Sequence, residues 1–126
     1  MVLIEKQVKA VLIVEDDGDI RDALSQILES EGYRVETAGN GVEALEYLRR
    51  SEKPGVILLD LMMPVMDGWQ FRSEQQKDLA LSDIPIVVVS ADGRVNQKAA
   101  AVGAVGYLKK PIELEALLNV VAQYCK

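Results

Sequence analysis

The chain has 126 residues, a length that fits one domain, and 49% of them are hydrophobic, which is enough to bury a core. Its formal net charge of -6 argues against general binding to nucleic acid or to an anionic membrane. Histidine is absent, so Ser-His-Asp and Cys-His catalysis, histidine metal sites and a phosphohistidine carrier role are excluded, and any chemistry must use carboxylates, hydroxyls and lysine.

Segments typical of strands and of helices alternate along the whole chain. Apolar or alternating runs predict five strands, at residues 11–14, 33–38, 56–60, 84–90 and 105–108. Apolar residues at helical spacing predict helices that begin near residues 20, 42, 69, 96 and 112. In the first of these helices Asp19 is the expected N-cap and Gly32 the expected C-cap. Strands that alternate with helices predict a parallel sheet covered on both faces.

Polar side chains follow four of the apolar runs, at the point where each predicted strand ends. They are Glu15 and Asp16, Asp60, Ser90, and Lys110. The carboxyl ends of parallel strands meet at one edge of a sheet, which is where ligands bind in such folds. Three carboxylates, a hydroxyl and an ammonium at a single edge predict a metal and phosphoryl site.

Four motifs stand in order around these strands. They are Val-Glu-Asp-Asp (14–17), Asp-Leu-Met-Met-Pro-Val-Met-Asp-Gly (60–68), Val-Val-Ser-Ala (88–91) and Gly-Ala-Val-Gly-Tyr-Leu-Lys-Lys-Pro (103–111). In this order and spacing the chain resembles the receiver domain of two-component response regulators, the chemotaxis-regulator type. The resemblance implies an α/β, flavodoxin-like (βα)5 doubly wound parallel sheet with strand order 2-1-3-4-5. It implies a single receiver domain over residues 1–126, with residues 1–8 as a short N-terminal extension.

The same resemblance implies a role for each carboxylate. Asp60 matches the phosphoacceptor, which attacks a phosphoryl donor and forms an acyl phosphate. Mg²⁺ is the implied cofactor, because oxygen ligands suit it and because clustered carboxylates would otherwise repel the phosphoryl group. The implied ligands are Asp16, Asp60 and the backbone carbonyl of Met62, with Glu15 acting through water.

The remaining roles implied by the resemblance fall on the last two strands. Lys110, rather than Lys109, matches the lysine that contacts the phosphoryl group, because it stands immediately before Pro111, which is expected to follow a cis peptide. The hydroxyl of Ser90 is expected to donate a hydrogen bond to the phosphoryl group. Tyr107 matches an aromatic switch that turns inward when the serine moves.

Two departures from the family pattern concern helix packing rather than the site. Gly55 stands where many receiver domains carry an aspartate, and we expect this to affect only a cap. Residues 74–77 are polar over a position often occupied by Ile or Leu, which weakens the packing expected for the third helix.

The implied function is a phosphorylation-dependent signalling switch that catalyses only its own phosphorylation and dephosphorylation. The implied partners are a sensor histidine kinase or histidine phosphotransfer protein as donor, and a downstream protein that reads the surface of the fourth helix, fifth strand and fifth helix. No direct contact with nucleic acid or with a membrane is expected.

Two other functions fit parts of the sequence. One is a pseudo-receiver, an interaction module with this fold but without phosphorylation. The other is a small phosphatase with an aspartyl nucleophile, whose signature residues 17–20 match poorly. The chain could be a stand-alone regulator or one domain of a larger protein.

A cytoplasmic location is the remaining expectation. Cys125 is the single cysteine, so it cannot form an internal disulfide, which suits a reducing compartment. No run approaches the ~20 apolar residues of a membrane span, and the apolar start at residues 1–4 is too short for a signal peptide.

Overall fold

Five parallel strands form one sheet, in the order β2-β1-β3-β4-β5, in the computed structural model, which describes residues 9–125. The predicted N-terminal extension at residues 1–8 lies outside the described residues. The strands are β1 (Val11–Val14), β2 (Val35–Ala38), β3 (Val56–Asp60), β4 (Ile86–Ser90) and β5 (Gly106–Lys109). In register, Val11 of the central strand lies opposite Val35 on one side and Val56 on the other. The carboxyl ends of the strands therefore lie at the same edge.

The helices that connect the strands cover both faces of the sheet. They are α1 (Gly18–Ser30), α2 (Gly41–Arg50), α3 (Gly68–Lys77), α4 (Val95–Ala101) and α5 (Leu114–Tyr124). Because successive strand residues point to opposite faces, Leu12 and Val14 pack with α2, α3 and α4, whereas Val11 and Ile13 pack with α1 and α5. The predicted doubly wound sheet with strand order 2-1-3-4-5 is confirmed. Within residues 9–125, none of the helices is long and apolar enough to cross a membrane.

Helix α1 begins and ends differently from the sequence prediction. Its N-cap is Asp17, not Asp19, because the Asp17 carboxylate accepts the backbone N–H groups of Asp19 and Ile20. At the other end the C-cap is Glu31, not Gly32; Gly32 is the next residue, with a φ of 90°, and the N–H of Tyr33 donates back to the carbonyl of Leu28. This C-terminal motif uses the N–H of Tyr33, so β2 starts at Val35 and not at residue 33 as predicted.

The polar stretch of α3 contains a buried glutamine that is fully engaged in hydrogen bonds. The Gln75 side-chain amide donates to the carbonyls of Leu81 at 2.9 Å and Ile84 at 3.1 Å. Its oxygen accepts a hydrogen bond of 2.8 Å from Arg72. Buried polar groups are tolerated when their hydrogen bonds are satisfied. Gln75 thus occupies a core position by binding the loop between α3 and β4.

Gly55 lies against the end of α5. The glycine that replaces the aspartate of many receiver domains therefore has a role in packing, beyond the expected effect on a cap. A Cβ atom at residue 55 would lie 2.6 Å from the Tyr124 carbonyl oxygen and 2.8 Å from Cys125 Sγ. The Cys125 thiol is buried between this turn and the carbonyl of Ala10. Burial raises the pKa of Cys125 to about 11, so the thiol is protonated at neutral pH.

Candidate functional site at the carboxyl edge of the sheet

The structure brings the predicted polar residues together at one edge of the sheet. Glu15 and Asp16 follow β1, and Asp60 is the last residue of β3. One carboxylate oxygen from each of these residues lies within 4.8 Å of the other two. Glu15 and Asp60 are only 3% and 7% exposed, whereas Asp16 is open to solvent. Their spacing follows from the parallel register of β1 and β3, which places the ends of adjacent strands side by side.

Lys110 supplies positive charge to this cluster. Its Nζ donates to Glu15 Oε1 at 2.6 Å and lies 4.0 Å from Asp60 Oδ2. The backbone N–H of Lys110 donates to the carbonyl of Ser90, which anchors the residue after β5 to the end of β4. The peptide between Lys110 and Pro111 is cis, as predicted, and the neighbouring Lys109 is exposed. The lysine that the sequence pattern selected is therefore the one that reaches the carboxylates.

The carboxylates of Asp60 and Glu15 lie so close that they affect each other's ionisation. Burial, a hydrogen bond with Glu15 and the negative charge of Glu15 raise the pKa of Asp60 from its ordinary 3.8 to about 7. Burial alone would raise the pKa of Glu15 as well, but hydrogen bonds with Asp60 and Lys110 outweigh it and lower that pKa. For Lys110, burial alone would lower the pKa, and the contacts with both carboxylates raise it instead.

This donor set fits a divalent cation of the Mg²⁺ type. All candidate side-chain ligands are carboxylate oxygens, which Mg²⁺ prefers, and two of the carboxylates are buried beside each other with a raised pKa on one of them. The backbone of Met62 lies against the cluster, because its N–H donates to Asp60 Oδ1 at 3.1 Å, while its side chain is 72% exposed. A divalent cation would offset both the burial of the Asp60 carboxylate and its repulsion by Glu15, which together raise the pKa of Asp60.

Ser90 lies at the edge of the same cleft, in contact with the loop that leads to α4. Its Oγ accepts the backbone N–H of Asp92 at 3.1 Å. The cleft is lined by Asp60, Met62, Ser90, Ala91, Asp92, Lys98 and Lys110.

Lys98 was not predicted from the sequence as a site residue, because a lysine near the middle of a short helix belongs to no motif. The one sequence feature that could have indicated it is the opposite charge of Asp92, six residues earlier; Lys98 Nζ lies 2.7 Å from Asp92 Oδ2 in an ion pair.

Tyr107 is the one predicted site residue that the structure leaves apart from the carboxylates. It belongs to β5, lies opposite Val88 of β4, and its side chain is 47% exposed. An exposed ring is compatible with a switch that later turns inward. The switch itself stays a prediction.

Comparison with known proteins identifies the family. The family model for the response regulator receiver domain matches residues 11–122 of this chain. The chain belongs to this family. The receiver domain is 40% identical over 110 residues to the response regulator MprA of Mycobacterium ulcerans (strain Agy99), with 86% of this chain and 46% of that relative covered. It is 39% identical over 122 residues to the probable transcriptional regulator ycf27 of Porphyra purpurea, with 93% and 49% covered. The chain thus spans about half the length of these curated relatives.

Solved structures share the whole fold with this receiver domain. The chemotaxis protein CheY4 of Vibrio cholerae superposes with a TM-score of 0.83 at 34% identity, covering 94% of this chain and 99% of the other. The receiver domain of the sensor histidine kinase PA1611 of Pseudomonas aeruginosa PAO1, solved with a magnesium ion coordinated in its active site cleft, gives a TM-score of 0.82 at 26% identity. That match covers 92% of this chain and 96% of the other.

Proposed function

We propose that this receiver domain accepts a phosphoryl group on Asp60, with Mg²⁺, from a histidine kinase or histidine phosphotransfer protein. The observation that carries the proposal is the cluster of Glu15, Asp16 and Asp60 carboxylates within 4.8 Å, with the Lys110 ammonium beside it. The magnesium ion in the cleft of the Pseudomonas aeruginosa receiver domain adds support from a relative of the same fold.

The reaction is an exchange of bonds at phosphorus. A carboxylate oxygen of Asp60 forms a new bond to phosphorus, and the bond from phosphorus to the donor's imidazole nitrogen breaks. The imidazole leaves with that electron pair, and the product is an acyl phosphate on Asp60. Dephosphorylation reverses the modification when water attacks phosphorus and the carboxylate leaves. Held by Asp16, Asp60 and the backbone carbonyl of Met62, with Glu15 acting through water, Mg²⁺ would supply charge neutralisation for the phosphoryl oxygens.

The other cleft residues hold the transferred group. Lys110 offers an ammonium at the buried end of the cleft, 4.0 Å from Asp60 Oδ2, where phosphoryl oxygens would gather. Ser90 accepts a hydrogen bond from the N–H of Asp92, so its own proton is left to donate to a phosphoryl oxygen. Each group thus stabilises the negative charge that the transition state spreads over the phosphoryl oxygens.

The output of the switch is proposed to be a protein-binding surface formed by α4, β5 and α5. Exposed apolar side chains on or beside these elements support this assignment: Val105, Tyr107 and Leu114 are 52%, 47% and 54% exposed. A population shift between two conformations of this surface would carry the signal to a downstream protein. The absence of direct nucleic-acid and membrane binding and the cytoplasmic location stay predictions. The Porphyra purpurea relative, which is named a probable transcriptional regulator, is about twice as long as this chain, and that name describes the longer protein.

The test is the intact mass of the protein after incubation with acetyl phosphate, with and without Mg²⁺. Wild type is expected to gain one phosphoryl group only with Mg²⁺, and Asp60→Asn is expected to gain none. Asp83→Asn is the matched control, because Asp83 is an exposed carboxylate at the opposite edge of the sheet. No gain by the folded wild type under any condition would favour the pseudo-receiver. Turnover of a phosphomonoester would favour the phosphatase.

A further inference from the structure

Lys98 of α4 reaches back to the mouth of the cleft and binds the carboxylate of Asp92. The Lys98 Nζ lies 2.7 Å from Asp92 Oδ2, and the side chains are 33% and 38% exposed. Both residues line the cleft that contains Asp60 and Ser90. The ion pair therefore forms part of the lining of the cleft in which a phosphodonor would meet Asp60.

Three hydrogen bonds fix the position of Asp92. One carboxylate oxygen accepts the Lys98 ammonium, and the other accepts the backbone N–H of Arg94 at 2.7 Å. Its own backbone N–H donates to Ser90 Oγ at 3.1 Å. The Lys98 ammonium, together with the Arg94 N–H, holds the pKa of Asp92 below its usual value, so this carboxylate is ionised at neutral pH.

The charges around the cleft explain why Asp92 needs a partner. The Asp60 carboxylate, which lines the cleft, already lies beside the carboxylates of Glu15 and Asp16, and the Lys110 ammonium donates to Glu15. A further unpaired carboxylate at the entrance would repel an incoming phosphate ester or anhydride, because clefts focus the field of the charges that line them.

We propose that Lys98 is a positioning residue for phosphoryl transfer, which neutralises and holds Asp92 so that dianionic phosphodonors can enter the cleft. The inference rests on the proposed function, since it concerns transfer to Asp60. Lys98 acts through Asp92 and does not contact the transferred group. Its effect should therefore depend on the charge of the donor and on the presence of the Asp92 carboxylate.

Two small donors that differ in charge separate this effect from the chemistry of the step. With acetyl phosphate, a dianion at neutral pH, the Asp60 oxygen bonds to phosphorus, the phosphorus–acetate bond breaks, and acetate leaves with the electron pair. With phosphoramidate, a monoanion with a protonated nitrogen, the phosphorus–nitrogen bond breaks and ammonia leaves with the pair. Both reactions give the same acyl phosphate.

The experiment measures initial rates of phosphorylation with both donors at saturating Mg²⁺ and low salt. For Lys98→Met we expect a rate with acetyl phosphate lowered about threefold to tenfold, and a smaller loss with phosphoramidate. The loss is expected to disappear in the double variant Lys98→Met/Asp92→Asn, and Lys98→Arg is expected to retain the wild-type rate. Lys53→Met, an exposed lysine at the opposite edge of the sheet, is the matched control and should match wild type.

Distinct results would overturn the inference. A loss that persists in the Asp92→Asn background would mean that Lys98 contacts the donor directly. An equal loss of rate with both donors, or a loss of rate accompanied by a lower melting temperature, would mean that Lys98 only stabilises α4. An unchanged rate in a wild type that is phosphorylated would remove the inference and leave the proposed function intact. No phosphorylation of wild type by either donor would instead remove the proposed function.

Discussion

The ammonium of Lys110 binds Glu15 more closely than it binds Asp60: Nζ is 2.6 Å from Glu15 Oε1 and 4.0 Å from Asp60 Oδ2. Lys110 therefore stabilises the acidic cluster while leaving Asp60 less tightly paired. The carboxylate with the raised pKa is thus the one proposed to accept the phosphoryl group. The arrangement separates the residue that neutralises the cluster from the residue that is proposed to react.

Replacement of Lys110 by alanine tests this division of roles. Lys110→Ala is expected to lower the rate of phosphorylation by acetyl phosphate by at least tenfold, because the transferred group loses a cation. Mg²⁺ affinity, measured by titration calorimetry, should not fall by more than about threefold, since Lys110 is not a metal ligand and its ammonium repels the cation. Lys109→Ala, its exposed neighbour, is the control. Loss of Mg²⁺ binding in Lys110→Ala would contradict the assignment.

The raised pKa of Asp60 predicts how the stability of the metal-free protein depends on pH. A carboxyl whose pKa is about 7 when folded and near its ordinary 3.8 when unfolded holds its proton more tightly in the folded state. Its contribution to stability is therefore complete below about pH 4 and is lost as pH rises to about 7. Glu15, with a lowered pKa, has the opposite sign, and its contribution falls away at lower pH.

Thermal melts in EDTA and in millimolar Mg²⁺ measure this linkage. In EDTA the melting temperature of wild type is expected to fall between about pH 4 and pH 7, and Asp60→Asn should weaken that fall. Mg²⁺ should raise the melting temperature by mass action, and more at the higher pH, where the carboxylates are ionised. Asp83→Asn is again the control. A melting temperature that does not change with Mg²⁺ at either end of this pH range would contradict the metal site.

The sequence predicted those parts of the molecule that depend on strand order and register. Asp60 and Lys110 could be placed because residues that end parallel strands meet at one edge whatever the helices do. The pairing of Lys98 with Asp92 and the burial of Gln75 could not, because both depend on how a helix packs against a loop that has no regular periodicity. In α1, Asp17 was preceded and followed by other acidic residues, so composition alone did not select the cap.

Val65, in the loop between β3 and α3, adopts a backbone conformation that disfavours valine. Its φ is 67°, the N–H of Met66 donates to the carbonyl of Pro64 at 2.7 Å as in a γ-turn, and the side chain is 79% exposed. A β-branched side chain is strained in this turn, whereas glycine adopts a positive φ without steric cost. Val65→Gly should therefore raise the free energy of unfolding by about 1 kcal/mol, because the relief of strain exceeds the added entropy of the unfolded chain.

Urea unfolding measures how much stability is gained when the backbone strain at Val65 is relieved. Val105→Gly is the control, because Val105 is an exposed valine whose φ is not positive, and it should show no gain. If Val65→Gly were no more stable than wild type, the backbone strain at this residue would be compensated by neighbouring contacts. In that case the proposed gain would be wrong.

Gln75 provides a test of whether a polar residue can be preferred at a core position. Its amide donates to the carbonyls of Leu81 and Ile84, and its oxygen accepts from Arg72, while the side chain is fully buried. Leucine would add apolar contact but leave these backbone carbonyls without a partner away from water, and each unsatisfied buried group costs about 1–3 kcal/mol.

Gln75→Leu is therefore expected to lower the free energy of unfolding by about 2–3 kcal/mol in urea melts, despite the greater hydrophobicity of leucine. Gln76→Leu, at the exposed neighbouring position, should change it by less than about 0.5 kcal/mol. Arg72 also donates to the carbonyls of Val102 and Gly103, so Gln75→Leu should additionally loosen the end of α4, seen as faster amide exchange there. Equal or greater stability of Gln75→Leu would show that packing outweighs these hydrogen bonds.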